Sequence, residues 1–134
     1  MNKEYNRVLK EVNKIVDGLG KPIDPHIKKA VFTFRYLGLS TTSSCEGHLD
    51  WGLPYPWVEF NIDSSLNKQA RIKIEDWLSS YNNNEYLYLW NMGIFSGFRL
   101  QTLPACNMHH LLLLREEMNK FIDHVSLINR IENK

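Results

Sequence analysis

Residues 38 to 48 read GLSTTSSCEGH, and at this stretch the chain changes from helix to sheet. Gly38 stands where a left-handed residue commonly ends a helix. The β-branched and hydroxyl side chains from Leu39 to Cys45 then favour a short strand. After a turn-rich stretch, residues 57 to 62 alternate as a half-buried strand should. This part of the chain therefore predicts one helix followed by two strands.

Hydrophobic periodicity extends the prediction in both directions. A helix-period stripe covers about Lys3 to Asp17, and a second helix is predicted to begin with Asp24 as N-cap and Pro25 at the first helical position. Downstream, Asp63 or Ser64 can cap a third helix. The remaining predicted elements are that helix to about Tyr81, strands over 85–90 and 98–103 joined by a turn from Gly93 to Gly97, and a last helix from about Asn107 to Glu132.

The resulting order, α-α-β-β-α-β-β-α, defines the expected fold class. We expect an α+β fold with a mostly antiparallel sheet of about four strands and helices packed on one face. A chain of 134 residues fits one domain, so residues 1–134 are predicted to form a single α+β domain.

Composition narrows the class of protein. With 43% hydrophobic residues, 23% charged residues and a net charge of +1, the chain has ordinary globular composition and no general attraction for nucleic acid. A local basic patch remains compatible with these totals. The N-terminus is polar and no apolar run approaches about 18 residues, so we expect a cytoplasmic protein without a membrane span. The sequence contains no Walker loop, GxGxxG, HExxH or GxSxG motif, which disfavours those enzyme classes.

The hydroxyl run from Ser40 to Ser44 is unusual core material. A buried hydroxyl without a partner costs roughly 1–3 kcal/mol, so these side chains should face either water or a ligand. On an edge strand they would be solvated. In a cleft they would offer donors and acceptors on a rigid element, with Ser43 and Ser44 nearest its end.

Cys45 and His48 are three positions apart across Gly47, so a turn there can bring thiol and imidazole together. Such a pair is the minimum for an activated thiolate, and the same side chains are plausible metal ligands. A buried cysteine beside a surface histidine is the alternative. No third ligand stands at a diagnostic spacing, so no metal site is predicted. The candidate catalytic residues are Cys45, His48 and the intervening Glu46.

Aromatic residues in the following Gly/Pro-rich tract suggest a binding surface. Trp51 and Trp57 suit stacking on a planar ligand or base, and they equally suit packing of the loop onto its own core. Arg99 lies between Phe98 and Leu100 on a strand, so it should point away from both. It can clamp a carboxylate or phosphate there, or simply face solvent. The candidate ligand-binding residues are Ser43, Ser44, Trp51, Trp57 and Arg99.

Two resemblances converge on these residues. The segments 19–24, 38–50 and 56–58 together resemble a group of uncharacterised bacterial proteins, which implies no function. The Asp24-Pro25 start, one helix and then TTSSCxG over residues 41–47 are similar to the wybutosine-pathway tRNA methyltransferase family. In that family a comparable Ser-Cys-Ser-Gly-Arg segment lies in the presumed S-adenosylmethionine and tRNA site, so the resemblance implies S-adenosylmethionine as a cofactor.

The chain departs from that family within the motif. Glu46 stands where the family has serine, and His48 stands where it has arginine. Exchanging a permanent cation for an imidazole, and adding a carboxylate, would weaken a site for an anionic substrate. Two hypotheses follow: an enzyme acting on a nucleotide or nucleic-acid substrate, methyltransferase-like by resemblance, or a non-catalytic protein that binds a small ligand or a regulatory partner.

Overall fold

A computed structural model of the chain has the helices and strands in the predicted order, and it describes residues 3–16, 19–60, 64–92 and 97–131. The α+β prediction is therefore confirmed. The helices are α1 (Lys3–Lys14), α2 (Lys28–Tyr36), α3 (Ser64–Ser80) and α4 (Met108–Ile128). The strands are β1 (Thr41–Cys45), β2 (Trp57–Phe60), β3 (Leu87–Asn91) and β4 (Phe98–Thr102).

The four strands form one antiparallel sheet in the order β1-β2-β4-β3. β1 is thus an edge strand, and its last residue, Cys45, pairs with Trp57 at the start of β2. The register of β1 shifts between Thr41 and Ser43, which indicates a bulge. The hydroxyl-rich segment therefore has one paired edge and one edge that faces away from the sheet.

The main hydrophobic core lies on one face of the sheet, against α2, α3 and α4. Residues two apart on a strand share a face. Alternate residues of β2 and β4 therefore point to the same side of the sheet, where their buried side chains pack against those of the helices. This confirms that the helices pack on one face. The central members of this core are Phe34, Val58, Phe60, Ile74, Phe98, Leu100, Met118, Phe121 and Ile122.

α1 belongs to a second cluster, in which it packs on α2 rather than on the sheet. Tyr5, Val8 and Val12 of α1 contact Val31 and Phe32 of α2. α1 thereby forms an outer layer. In the connection between α1 and α2, Val16 and Pro22 form an isolated antiparallel β-bridge.

The opposite face of the sheet carries polar and aromatic side chains. Directly opposed residues share a face, so Glu59 and Arg99 lie together there, with Trp90 opposite Arg99 on β3. Phe98 and Leu100 are fully buried on the core side. The prediction that Arg99 points away from them is confirmed.

The main departure from the sequence prediction concerns the start of α2. The helix begins at Lys28, and the residue before it, Ile27, provides no side-chain cap. Asp24 instead begins a turn, in which the Ile27 N–H donates to the Asp24 carbonyl at 3.2 Å. Its carboxylate is turned toward the end of β1, where it accepts a hydrogen bond from the Glu46 N–H at 3.1 Å.

Smaller differences occur at helix ends. α1 ends at Lys14, before the predicted end of the first helix, and Val16 and Leu19 beyond it are exposed; Ile128 at the end of α4 is also exposed. The predicted helix end at Asp17, the strand residues 61 and 62, the predicted cap at Asp63, the turn residues 93–96 and Glu132 lie outside the described residues. No helix in the described ranges is long and apolar enough to cross a membrane.

Candidate functional site

A cavity of about 530 Å³ lies against β1. Its walls come from the α1–α2 connection, from α2, from every residue of β1 and from the loop that leads to β2. The lining includes apolar, hydroxyl-bearing and charged residues. Its lining residues include Asp24, Arg35, Ser43, Ser44, Cys45, Trp51 and Trp57.

The structure divides the candidate site residues into two groups. Five of them line the cavity: Ser43, Ser44, Cys45, Trp51 and Trp57. The other three, Glu46, His48 and Arg99, are not part of its lining. The residues that the sequence singled out therefore include the strand, the cysteine and both tryptophans of this cavity. Glu46, His48 and Arg99 lie outside its lining, and their surroundings are described below.

Arg35 supplies a fixed positive charge to the cavity wall. Its Nε donates to Thr41 Oγ1 at 2.7 Å, and one terminal nitrogen donates to the Thr41 carbonyl at 2.8 Å. These contacts tie α2 to the beginning of β1. A guanidinium has five N–H donors, so two such bonds leave donors for a ligand.

Asp24, Cys45 and His48 converge at the end of β1. One carboxylate oxygen, the thiol sulfur and one imidazole nitrogen lie within 4.8 Å of one another. His48 Nε2 is 3.4 Å from Asp24 Oδ2. Cys45 and His48 thus lie together as their spacing suggested, and Asp24 is the third member of the cluster.

Gly47 makes this convergence possible. Its φ is +90°, a backbone conformation that side-chain-bearing residues rarely adopt, and an added Cβ would lie 2.7 Å from the Tyr55 carbonyl carbon. The His48 N–H donates to the Leu53 carbonyl at 3.0 Å. The imidazole stacks on the Trp51 indole, with ring centres 3.9 Å apart and planes 16° apart. The turn therefore fixes both the backbone and the ring of His48.

Glu46 holds the turn in place rather than facing the cavity. Its Oε1 accepts from the His26 N–H at 3.1 Å, and its Oε2 lies 3.4 Å from a terminal nitrogen of Arg115. Arg115 also donates to the carbonyls of Glu46 and Gly47, at 3.0 and 2.7 Å. α4 is thereby attached to the cysteine-bearing turn.

The Cys45 thiol has a raised pKa. Burial is the largest cause; the neighbouring carboxylates of Asp24 and Glu46 act in the same direction, while a hydrogen bond from the Gly47 N–H opposes them. The Gly47 nitrogen is 3.4 Å from the sulfur. The protonated thiol is therefore favoured at neutral pH, in contrast to the thiolate that nucleophilic catalysis needs.

Arg99 lies over the ring of Trp57, one of the residues that line the cavity. Its guanidinium carbon lies 5.4 Å from the centre of the Trp57 ring and 5.9 Å from that of Tyr55, and it pairs with Glu59 at 3.9 Å. A cation held against an indole in this way orients the ring. Arg99 thus contacts Trp57 without lining the cavity itself.

Sequence reasoning missed three residues of this region: Asp24, Arg35 and Arg115. Arg35 is one of several basic residues along the second predicted helix, where a solvated face is the ordinary interpretation. Asp24 fitted a helix-capping pattern well, and it precedes Cys45 by 21 positions, so no local spacing joined them. The Asp24-Pro25 pair did appear in the tRNA methyltransferase resemblance, which was the one available signal. Arg115 lies on a long helix among other charged residues, where nothing in the sequence distinguishes it from a solvated side chain.

The chain finds no match among protein-family models, curated proteins or solved structures.

Proposed function

We propose that the protein is an enzyme that acts on a nucleotide, free or at an accessible position of a nucleic acid, bound in the cavity against β1. The observation that carries the proposal is the meeting, in one cavity, of the Trp51 and Trp57 indoles with the hydroxyls of β1 and with Asp24 and Cys45. The residues suited to binding a ligand and those suited to reacting with it therefore line the same cavity.

The cavity has the size and chemistry for such a ligand. Its volume of about 530 Å³ falls in the range usual for small-molecule sites, about 300–1,000 Å³. The indoles can stack on a base, because every base has a π-face. The hydroxyls of Ser43 and Ser44, together with the donors of Arg35, suit the sugar and a phosphate or carboxylate group.

The resemblance to the wybutosine-pathway tRNA methyltransferase family adds one specific ligand. S-adenosylmethionine has an adenine ring and a carboxylate, which the same indoles and the same Arg35 would accept. The near-neutral charge of the chain supplies no general attraction for a polynucleotide. A nucleic-acid substrate would therefore be held mainly through the nucleotide that enters the cavity.

A second candidate is a non-catalytic protein that binds the same class of ligand. The raised pKa of Cys45 favours this candidate, because a protonated thiol is a poor nucleophile. The two candidates share the cavity and differ in whether the bound molecule is converted.

The first test is a ligand panel of S-adenosylmethionine and common mononucleotides, measured by thermal shift and then by calorimetry. A ligand at 100 times its Kd stabilises the folded state by about 2.7 kcal/mol, so a clear rise in melting temperature is expected for at least one member. No shift with any member would contradict the proposal.

Two tryptophan variants locate the binding. Trp51→Ala should weaken binding of the hit about 5- to 150-fold, since stacking on an aromatic ring contributes about 1–3 kcal/mol per base. Trp90→Ala is the matched control, because Trp90 is 48% exposed and lies on β3 outside the cavity lining. Equal effects of both substitutions would place the ligand elsewhere.

Turnover then separates the two candidates. The wild-type protein is incubated with the hit and a nucleic-acid acceptor, and products are followed by mass spectrometry. An enzyme should form product and lose this activity in Cys45→Ala, with circular dichroism verifying that the variant is folded. Binding without product would support the non-catalytic candidate.

A further inference from the structure

We infer that Asp24, Cys45 and His48 form a binding site for one transition-metal ion, with zinc as the best fit, at the wall of the cavity. This inference does not depend on the proposed ligand, because it concerns only the three side chains that meet at the end of β1.

The ligand atoms have the spacing that zinc requires. Zinc bonds of about 2.0–2.3 Å to nitrogen, oxygen and sulfur in a tetrahedron put neighbouring ligand atoms about 3.5 Å apart. His48 Nε2 and Asp24 Oδ2 are 3.4 Å apart, and the whole set lies within 4.8 Å. Small rotations of the side chains would complete the three bonds.

His48 Nε2 provides a second, independent observation. The atom is buried and has no hydrogen-bond partner, although it lies at ion-pair distance from Asp24. A separation of 3.4 Å is longer than an ordinary N–H···O bond, so this contact does not satisfy the nitrogen. A buried nitrogen is seldom left without a partner, and a metal ion would use its lone pair.

The groups around the three side chains are those that support metal ligands. The Glu46 N–H donates to Asp24 Oδ2, and the Gly47 N–H approaches the Cys45 sulfur. The Trp51 ring fixes the plane of the His48 imidazole by stacking on it. Such outer partners orient ligands and commonly change metal affinity 10- to 100-fold.

The mixed set of sulfur, nitrogen and oxygen favours zinc over harder cations such as magnesium or calcium, which prefer oxygen alone. When the metal binds, the Cys45 S–H bond breaks, a sulfur–metal bond forms and the proton passes to solvent. Three protein ligands leave a fourth position for water or substrate. Asp24 and Cys45 both line the cavity, so a bound ion would be reached from it.

The test begins with protein that has been freed of metal by a chelator. Zinc binding is measured by calorimetry and by metal analysis after dialysis, and cobalt(II) is then used as an optical probe. We expect one zinc per chain, a rise in melting temperature, and cobalt spectra with a thiolate charge-transfer band and the intense visible bands of tetrahedral coordination.

Ligand variants and a matched control decide where the ion binds. Cys45→Ala, His48→Gln and Asp24→Asn should each weaken zinc binding at least about 100-fold, since even outer partners change affinity 10- to 100-fold. Cys106→Ala combined with His109→Ala removes an exposed thiol and imidazole at the start of α4, and it should leave binding unchanged. Circular dichroism of each metal-free variant verifies that it folds, and His48→Gln retains the Cys45 thiol if Cys45→Ala does not fold.

Absence of stoichiometric zinc and of the thiolate–cobalt band in folded wild-type protein would overturn the inference. Binding that survives His48→Gln or Cys45→Ala would overturn it as well. The outcome is distinct from that of the ligand panel, because metal binding is measured without any nucleotide and the panel is run both with chelator and with zinc.

Discussion

Gly47 shows how one residue without a side chain can position several that have one. Its positive φ turns the chain between Cys45 and His48, and a Cβ added there would run into the Tyr55 backbone and the Leu111 side chain. The glycine therefore meets two separate requirements, one of backbone conformation and one of space.

Gly47→Ala should destabilise the fold by about 3 kcal/mol or more. The substitution adds a strained backbone conformation to a close contact, each of which costs on the order of 1–3 kcal/mol. Urea unfolding measures the loss. Part of it arises because the added carbon would lie 2.7 and 2.9 Å from Tyr55 backbone atoms, which cannot move aside like the end of a flexible side chain.

Gly52→Ala separates the two contributions. Gly52 also has a positive φ, of +71°, but an added Cβ there meets nothing within 4 Å. This control should cost only the backbone strain, and so clearly less than Gly47→Ala. Similar losses for the two variants would show that the close approach at Gly47 contributes nothing.

At the scale of elements, α4 holds the turn that carries the candidate site. Arg115 reaches from the helix to two backbone carbonyls of the turn and to the Glu46 carboxylate. Both side chains of the ion pair are largely buried, at 11% and 13% exposure, so solvent screens the pair weakly.

Arg115→Met should destabilise the protein by about 3 kcal/mol, because it leaves the Glu46 carboxylate buried without its cation. Arg115→Lys should recover part of the loss, since an ammonium restores the charge but not the forked donor geometry. Chemical denaturation gives both values. Lys120→Met, which removes an exposed cation from the same helix, is the control and should leave the melting temperature unchanged.

The elements themselves could be predicted because their signals are local. Period-3.6 stripes mark each helix and alternation marks β2, and these patterns depend only on neighbours along the chain. The start of α2 could not be predicted in the same way. Asp24 has the chemistry of a helix cap, yet the Glu46 N–H, 22 positions away, is the donor that its carboxylate accepts. A hydrogen-bond partner so far away in the sequence cannot be recognised from local sequence patterns.

At the scale of the whole molecule, Phe34 joins three elements. Its ring packs edge-on against Phe60 of β2, with centres 5.1 Å apart, and lies nearly parallel to Trp77 of α3, at 6.3 Å. Since the side chain is fully buried, its loss would open a cavity between both partners.

Phe34→Ala should lower the free energy of unfolding by about 3–5 kcal/mol, the usual cost of removing a buried aromatic ring. Urea unfolding followed by fluorescence and by circular dichroism measures the change. Leu127→Ala is the control, because Leu127 is 76% exposed, and it should change stability by less than about 0.5 kcal/mol. A loss below about 1 kcal/mol for Phe34→Ala would mean that the core does not depend on this ring.

The sequence predicted the part of the candidate site whose residues lie close to one another along the chain. Ser43, Ser44, Cys45, Trp51 and Trp57 line the cavity, and all lie within one continuous stretch. The Asp24 contribution arises from the packing of the α1–α2 connection beside β1, which periodicity does not encode. Glu46 belongs to the same stretch, but its buried partner Arg115 comes from α4, so its environment followed only from the assembled fold.

The position of the cavity has a consequence for how the protein meets other chains. β1 is an edge strand, and exposed edges are templates on which a strand from another molecule can add. Because every residue of β1 lines the cavity, a molecule lodged there would also mask this edge. Occupancy of the cavity would then compete with the addition of another chain at β1, one of the two edge strands of the described sheet.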